Sequence, residues 1–239
     1  YRAWLTEGGA APAAVAGHSL GEYTALVASG VLTLAQAVPL VRLRAAAMQE
    51  AVPVGVGAMA AILGLDANTV REVCAKTMAG SSEIAEAVNF NDPGQTVIAG
   101  TKAGVEQACA ALKEAGAKRA LNLPVSAPFH SSLMRPAALK LQAALADLTL
   151  GTPQIPVINN IDVLVETDAA KIKDALYRQA FGPVRWVECM QAIKARGITQ
   201  IVECGPGKVL AGMCKRIDAD LVAHPLFDTA TLAELQAAL

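Results

Sequence analysis

Residues 13–30 read A-A-V-A-G-H-S-L-G-E-Y-T-A-L-V-A-S-G. A short apolar run meets Gly17-His18-Ser19-Leu20-Gly21, then a stretch with helical spacing that stops at Gly30. G-x-S-x-G between a buried strand and a helix is the pattern of a sharp turn that lifts a serine hydroxyl out of the backbone. The two glycines are expected to leave room where a side chain would strike the neighbouring strand or helix. At the first turn of the helix the Leu20 amide has no partner within the helix, and the dipole there favours negative charge. Leu20 is therefore the candidate donor to an oxyanion formed when Ser19 attacks a carbonyl.

The same strand-then-helix rhythm runs through the chain and predicts an α/β protein. Residues 1–12 read as the end of a helix leading to the strand at 13–17. A helix over 32–52 is capped by Thr33 and interrupted by Pro39, where a kink is expected. Then the rhythm changes. Strands are predicted at 58–65, 84–91, 95–100 and 117–125, with helices at 66–79 and 102–116; Asp92-Pro93-Gly94 forms the turn between the middle strands. The order βαββαβ, within residues 55–124, is that of a small ferredoxin-like domain. It is inserted in a larger α/β body made of residues 1–54 and 125–239. In the second part of that body, helices are expected at 135–148, 168–197 (broken at Gly182-Pro183), 208–217 and 231–239. Strands are expected at 155–163, 198–204 and 221–226.

The composition narrows the function classes. Lys and Arg number 20 against 21 Asp and Glu, a net charge of -1, so no overall basic field attracts nucleic acid. Hydrophobic residues reach 54% but aromatics only 4%, which suits small, closely packed side chains, and no apolar run is long enough to cross a bilayer. Cys74, Cys109, Cys189, Cys204 and Cys214 are scattered with no C-x-x-C pair, which favours reduced thiols in a cytoplasmic protein and gives no metal-binding pattern. Gly205-Pro206-Gly207-Lys208 lacks the spacing and the Ser/Thr of a phosphate-binding loop and reads as a turn opening a helix.

A serine becomes nucleophilic when a base removes its proton, and the chain has three histidines. His18 adjoins Ser19 and is expected to point elsewhere as a structural hydrogen bonder. His224 sits in a short late strand. His130, in Ala127-Pro128-Phe129-His130, occupies a loop before a helix and is the candidate base. No acid after it is marked as an orienting partner: Asp162 and Glu203 are open choices, and a backbone carbonyl could serve instead.

Eight segments together resemble the malonyl-CoA:acyl-carrier-protein transacylases, the acyltransferases of bacterial type II fatty acid synthesis. They are G-H-S-L-G-E-Y-T-A-L, R-A-A-A-M-Q-E-A-V-P, G-A-M-A-A-I-L-G-L, N-F-N-D-P-G-Q-T-V-I-A-G, P-V-S-A-P-F-H-S-S-L-M, P-V-I-N-N-I-D-V, R-Q-A-F-G-P-V-R-W and G-P-G-K-V-L. They cover nearly the whole chain in order. The resemblance implies an α/β-hydrolase-like parallel-sheet body with the inserted ferredoxin-like domain. It implies Ser19 as nucleophile, His130 as base, Leu20 as oxyanion amide, the main-chain carbonyl of Gln179 as the group that orients His130, and Arg44 as the substrate arginine. Malonyl carries a free carboxylate, which a guanidinium can bind in bidentate fashion. Phe129 beside the base and Met48 one turn from Arg44 are candidates for the acyl pocket, and Asn89 and Asn91 for the face of the small domain toward the cleft. In the family, a strand and a G-Q-G-S-Q turn carrying a second oxyanion donor precede the elbow, and the expectation is that such a stretch lies ahead of Tyr1.

The implied reaction moves malonyl from CoA to the phosphopantetheine thiol of holo acyl carrier protein, with no cofactor and no metal, in a cytoplasmic monomer. Acyl carrier protein is acidic, so Lys113, Lys118, Arg119, Lys208, Lys215 and Arg216 are candidates for a docking patch. Two alternatives share parts of this reading: a serine thioesterase or esterase, for which Arg44 has no purpose, and a non-catalytic domain that only binds carrier protein.

Overall fold

The computed structural model describes residues 1–125 and 127–239; Ser126, within the P-V-S-A-P-F-H segment, lies outside the described residues. Helix α1 (Arg2–Thr6) leads to β1 (Val15–Ala16), and the elbow residues pass into α2 (Leu20–Ala28). Helix α3 (Leu34–Glu50) begins at a capping box in which Thr33 accepts from the Gln36 amide while the Gln36 side chain accepts from the Thr33 amide. It continues through Pro39 as a single helix. Its buried residues, Ala37, Leu40, Arg44, Ala47 and Met48, recur at three- and four-residue intervals and so share one face.

The next unit follows the predicted order. Strand β2 (Gly57–Leu63), α4 (Ala67–Met78), β3 (Ala85–Asp92), β4 (Gln95–Thr101), α5 (Lys102–Glu114) and β5 (Arg119–Asn122) build a four-stranded sheet in the order β3-β4-β2-β5, antiparallel throughout. Both helices cover one face of it: Val70 and Cys74 from α4 and Val105, Ala108 and Leu112 from α5 pack on Ala60, Ile62 and Ile98. Asp66 and Thr101 cap the two helices with their side-chain oxygens.

After a turn of 3-10 helix at Ser132–Met134 come α6 (Arg135–Ala146), β6 (Val157–Ile158), α7 (Ala169–Gln179), α8 (Trp186–Lys194), β7 (Gln200–Cys204), α9 (Val209–Ile217), β8 (Val222–Leu226) and α10 (Thr229–Ala238). The expected strand at 155–163 is thus much shorter than its apolar run, because Asn159 and Asn160 leave the ladder. The body's parallel strands form two separate pairs among the described residues, β1 with β6 and β7 with β8, rather than one continuous sheet. A slot of about 860 Å³ lies between β1 and β7, lined also by Trp186 and Met190.

The register of the first pair builds the elbow. Val15 lies opposite Val157 and Ala16 opposite Ile158, so the asparagines after β6 arrive beside the turn after β1. Strand β3 ties the antiparallel unit to the body: Phe90 N–H donates to Val184 O (3.0 Å) and Val184 N–H to Val88 O (2.8 Å). Arg216 also pairs with the buried Asp92 at 2.7 Å.

The two elbow glycines turn out to differ. A Cβ at Gly17 would lie 1.9 Å from the Gly21 carbonyl carbon, a backbone atom that cannot step aside. Among the described residues outside its own helix backbone, a Cβ at Gly21 would meet nothing within 4 Å. The expected collision therefore holds for Gly17 and is overturned for Gly21. Gly17→Ala is expected to destabilise the fold by about 2–3 kcal/mol, lowering the thermal midpoint by roughly 5–10 °C; differential scanning calorimetry reads this directly.

Candidate active site

Ser19 has φ 53 and ψ -106, a backbone conformation that an L residue adopts at a cost and only where its surroundings enforce it. The enforcement comes from Asn160. Its Oδ1 accepts the Ser19 amide (2.8 Å) and its Nδ2 donates to Gly17 O (2.8 Å), so one side chain clamps both arms of the turn.

Ser19 Oγ lies 2.7 Å from His130 Nε2. His130 also has a positive φ, 66°, in a loop where Phe129 N–H donates to Ala127 O and the Ser131 hydroxyl donates to Pro128 O. Its Nδ1 lies 2.9 Å from Gln179 O, at the last residue of α7. A carbonyl only accepts, so Nδ1 carries the proton and Nε2 is the free lone pair facing the serine hydroxyl. The ring is buried, and this pushes its pKa from 6.5 down to about 3, with the Arg44 charge acting in the same direction and the Gln179 carbonyl against it.

Arg44 reaches this pair from α3. Its Nη2 donates to Ser19 Oγ at 2.9 Å and to Gln179 Oε1 at 3.2 Å. Its guanidinium lies over the Tyr23 ring, 5.6 Å from the centroid. Burial lowers its pKa, while Tyr23 and Glu22 raise it. Arg44 does not pair with Glu50, which bonds Lys140 on the surface.

A cleft of about 290 Å³ gathers His18, Ser19, Arg44, Met48, Met59, Asn89, Phe129 and His130. Of the sequence candidates, Ser19, His130, Arg44, Met48, Phe129 and Asn89 thus meet in one place. Asn91 does not line the cleft: it is buried behind it, its Oδ1 2.9 Å from His18 Nε2 and its Nδ2 donating to Gln95. That contact gives His18 the structural bond expected of it, although the residue also borders the cleft. Leu20 is the first residue of α2, its side chain exposed. Asp162 binds Arg178 and Glu203 accepts the Ala211 amide, so neither orients His130. His224 bonds Gln200 at the surface. Among the docking candidates, Arg216 is engaged by Asp92.

Sequence reasoning missed Met59, Asn160 and Glu22. Glu22 is 2% exposed, and its Oε2 accepts the Asn160 amide (2.9 Å) and Gln179 Nε2 (3.0 Å). The signal available for Glu22 was its place at the third position of α2, one turn from Ser19, where an acid on the inward face has no reason to be buried unless it is used. Among the described residues no group of three or more His, Cys, Asp or Glu could hold a metal ion.

The acyl transferase domain model matches residues 1–217. The chain belongs to the acyl transferase domain family. A malonyl CoA-acyl carrier protein transacylase of Salmonella typhimurium is 52% identical over 233 residues, 98% of this chain and 75% of that protein. One from Bacillus subtilis is 46% identical over 226 residues, 95% of this chain and 71% of that protein. Among solved structures, an acyl-carrier-protein S-malonyltransferase from Burkholderia pseudomallei is 64% identical, with TM-score 0.96 over 99% of this chain and 76% of that one. A malonyl-transacylase in complex with its type II PKS acyl-carrier protein is 50% identical, with TM-score 0.96 over 100% of this chain and 76% of that one.

The buried, neutral imidazole has a measurable consequence. At pH 5.5 an imidazole at the ordinary value would be neutral in only about a tenth of molecules. Labelling of Ser19 by a fluorophosphonate is expected to keep at least about half its pH 7.5 rate at pH 5.5. A tenfold fall over that interval would contradict a base held neutral by burial.

Proposed function

We propose that the protein is a malonyl-CoA:acyl-carrier-protein S-malonyltransferase that works through a malonyl ester on Ser19. The observation that carries this reading is the joint approach of His130 and Arg44 to one serine oxygen, at 2.7 and 2.9 Å. A base on that oxygen supports nucleophilic attack, and a buried guanidinium beside it supports an acyl group with a carboxylate of its own. The names of the relatives support the same substrate pair.

In the proposed first step Ser19 Oγ attacks the thioester carbon of malonyl-CoA while His130 Nε2 takes the hydroxyl proton. The Leu20 amide donates to the oxyanion. Collapse breaks the carbon–sulfur bond, and the departing CoA sulfur takes the proton from His130. In the second step the phosphopantetheine thiol of acyl carrier protein gives its proton to His130 and attacks the ester, and Ser19 regains a proton as it leaves. The Gln179 carbonyl keeps His130 in the tautomer that both steps need. Arg44 holds the malonyl carboxylate, Met48 and Phe129 line the acyl pocket, and Asn89 faces it from the antiparallel unit. Asn91 contributes through His18.

The reading extends to organisation. Residues 55–124 form a ferredoxin-like domain inserted in an α/β-hydrolase-like body of 1–54 and 125–239, a division supported by the strand order β3-β4-β2-β5 and the two parallel pairs. The enzyme acts as a cytoplasmic monomer and needs no cofactor. Among the described residues no helix is long and apolar enough to cross a membrane.

Intact mass spectrometry after incubation with malonyl-CoA is expected to show one malonyl adduct, lost in Ser19→Ala; an adduct that persists in this variant removes Ser19 from the chemistry. A hydrolase would release CoA at full rate without a thiol acceptor, whereas a transferase turns over only when carrier protein is present. Arg44→Ala is expected to lose malonyl transfer by about 10- to 150-fold more than acetyl transfer, the range of a lost hydrogen bond to a charged group. Equal losses would count against the carboxylate role.

A further inference from the structure

Glu22 takes no part in the steps above, yet it is one of two buried carboxylates among the described residues, and the other, Asp92, has Arg216 as its counter-ion. Glu22 has none within ion-pair distance. A carboxyl buried without a cation is costly unless its hydrogen bonds serve some purpose.

Those hydrogen bonds converge on a single atom. Glu22 Oε2 accepts the backbone N–H of Asn160 and the side-chain N–H of Gln179. Asn160 clamps the elbow through Ser19 N and Gly17 O. Gln179 holds His130 through its backbone carbonyl, holds Ser19 O through Nε2 at 3.0 Å, and holds Arg44 through Oε1. The nucleophile arrives from the β1–α2 turn, the base from the loop before α6, and the guanidinium from α3. Within the described hydrogen bonds Glu22 Oε2 joins the asparagine that fixes the first to the glutamine that fixes the other two.

We propose that Glu22 is a positioning residue: by holding Asn160 and Gln179 to one oxygen, it sets the separation of Ser19 Oγ from His130 Nε2 and the aim of Arg44. The inference rests on the serine acyl-enzyme reading above. Burial raises the carboxyl pKa to about 7, against the pull of the Gln179 and Asn160 donors and of Arg44. Oε2 accepts two N–H groups, a task that a neutral oxygen at the same place performs as well. Reach should therefore matter more than ionisation.

Two variants separate these. Glu22→Gln keeps the length and an oxygen able to accept both N–H groups. Glu22→Asp keeps the charge and draws the oxygen back by about 1.5 Å, one carbon–carbon bond. The readouts are the second-order rate of Ser19 labelling by a fluorophosphonate, corrected to folded protein by circular dichroism, and KM and kcat for malonyl transfer. Glu22→Gln is expected within about fivefold of the parent in labelling and in kcat. Glu22→Asp is expected to fall about 100-fold in both, the size of a misplacement near 1 Å, with KM within about threefold. If Glu22→Asp does not fold, Glu22→Met, which keeps the volume and removes the acceptor, takes its place with the same expectation. A purely structural carboxylate would lower the melting temperature and leave labelling per folded molecule unchanged. That result, or a glutamine variant as slow as the shortened one, overturns the proposal. Ser19→Ala run in the same assay distinguishes the two levels: labelling that survives it would indict the acyl-serine reading itself rather than the role of Glu22.

Discussion

The site depends on keeping one residue in a conformation it would not choose. Ser19 has a left-handed φ, and unaided it would relax and withdraw its hydroxyl. The Asn160 side chain prevents this by satisfying the Ser19 amide and the Gly17 carbonyl together. Asn160 can do so because β1 and β6 run parallel in a register that brings the residues after both strands to the same end of the pair. The turn closes this tightly because the Gly17 backbone approaches Gly21 more closely than any Cβ would permit. Parallel pairing, one amide side chain and one glycine thus present a single hydroxyl oxygen to the cleft.

Around that oxygen the electrostatics are arranged by exclusion of water. His130 is kept neutral by burial and by the nearby Arg44 charge, while the Gln179 carbonyl fixes its tautomer. Among the described residues no carboxylate bonds it, so its Nδ1 faces a dipole rather than a charge. Arg44 adds a permanent positive charge next to the same hydroxyl. This raises the cost of protonating the imidazole while favouring negative charge on the serine oxygen. Such a pair suits a thioester, whose leaving sulfur demands less help from an acid than an amine would.

Much of the fold was legible because its signals are local. Thr33 caps the helix it precedes, and Asp92-Pro93-Gly94 turns between adjacent strands. Ser19 was legible from its glycines, and His130 from scarcity and loop context. The resemblance supplied Gln179 and Arg44, which no spacing would have singled out. What escaped is what joins distant parts of the chain. Asn160 meets Ser19 across 141 positions and Gln179 meets Glu22 across 157, and nothing in a lone asparagine or glutamate announces such a partner. The expected length of β6 failed for a related reason: Asn159 and Asn160 turn their amides to other backbone groups. Gly21 was misjudged because the five-residue pattern treats its two glycines alike, whereas among the described residues outside α2 a Cβ would strike backbone at Gly17 and not at Gly21.

The short passage from Gln179 to Val184 holds two things at once. At its beginning Gln179 O fixes the base; at its end Val184 exchanges two backbone hydrogen bonds with β3, the strand that carries Asn89 to the cleft wall. Five peptide bonds therefore connect the cleft wall to the carbonyl that keeps the imidazole aimed. An outward push on that wall would tug on this link and tilt the imidazole away from the serine hydroxyl.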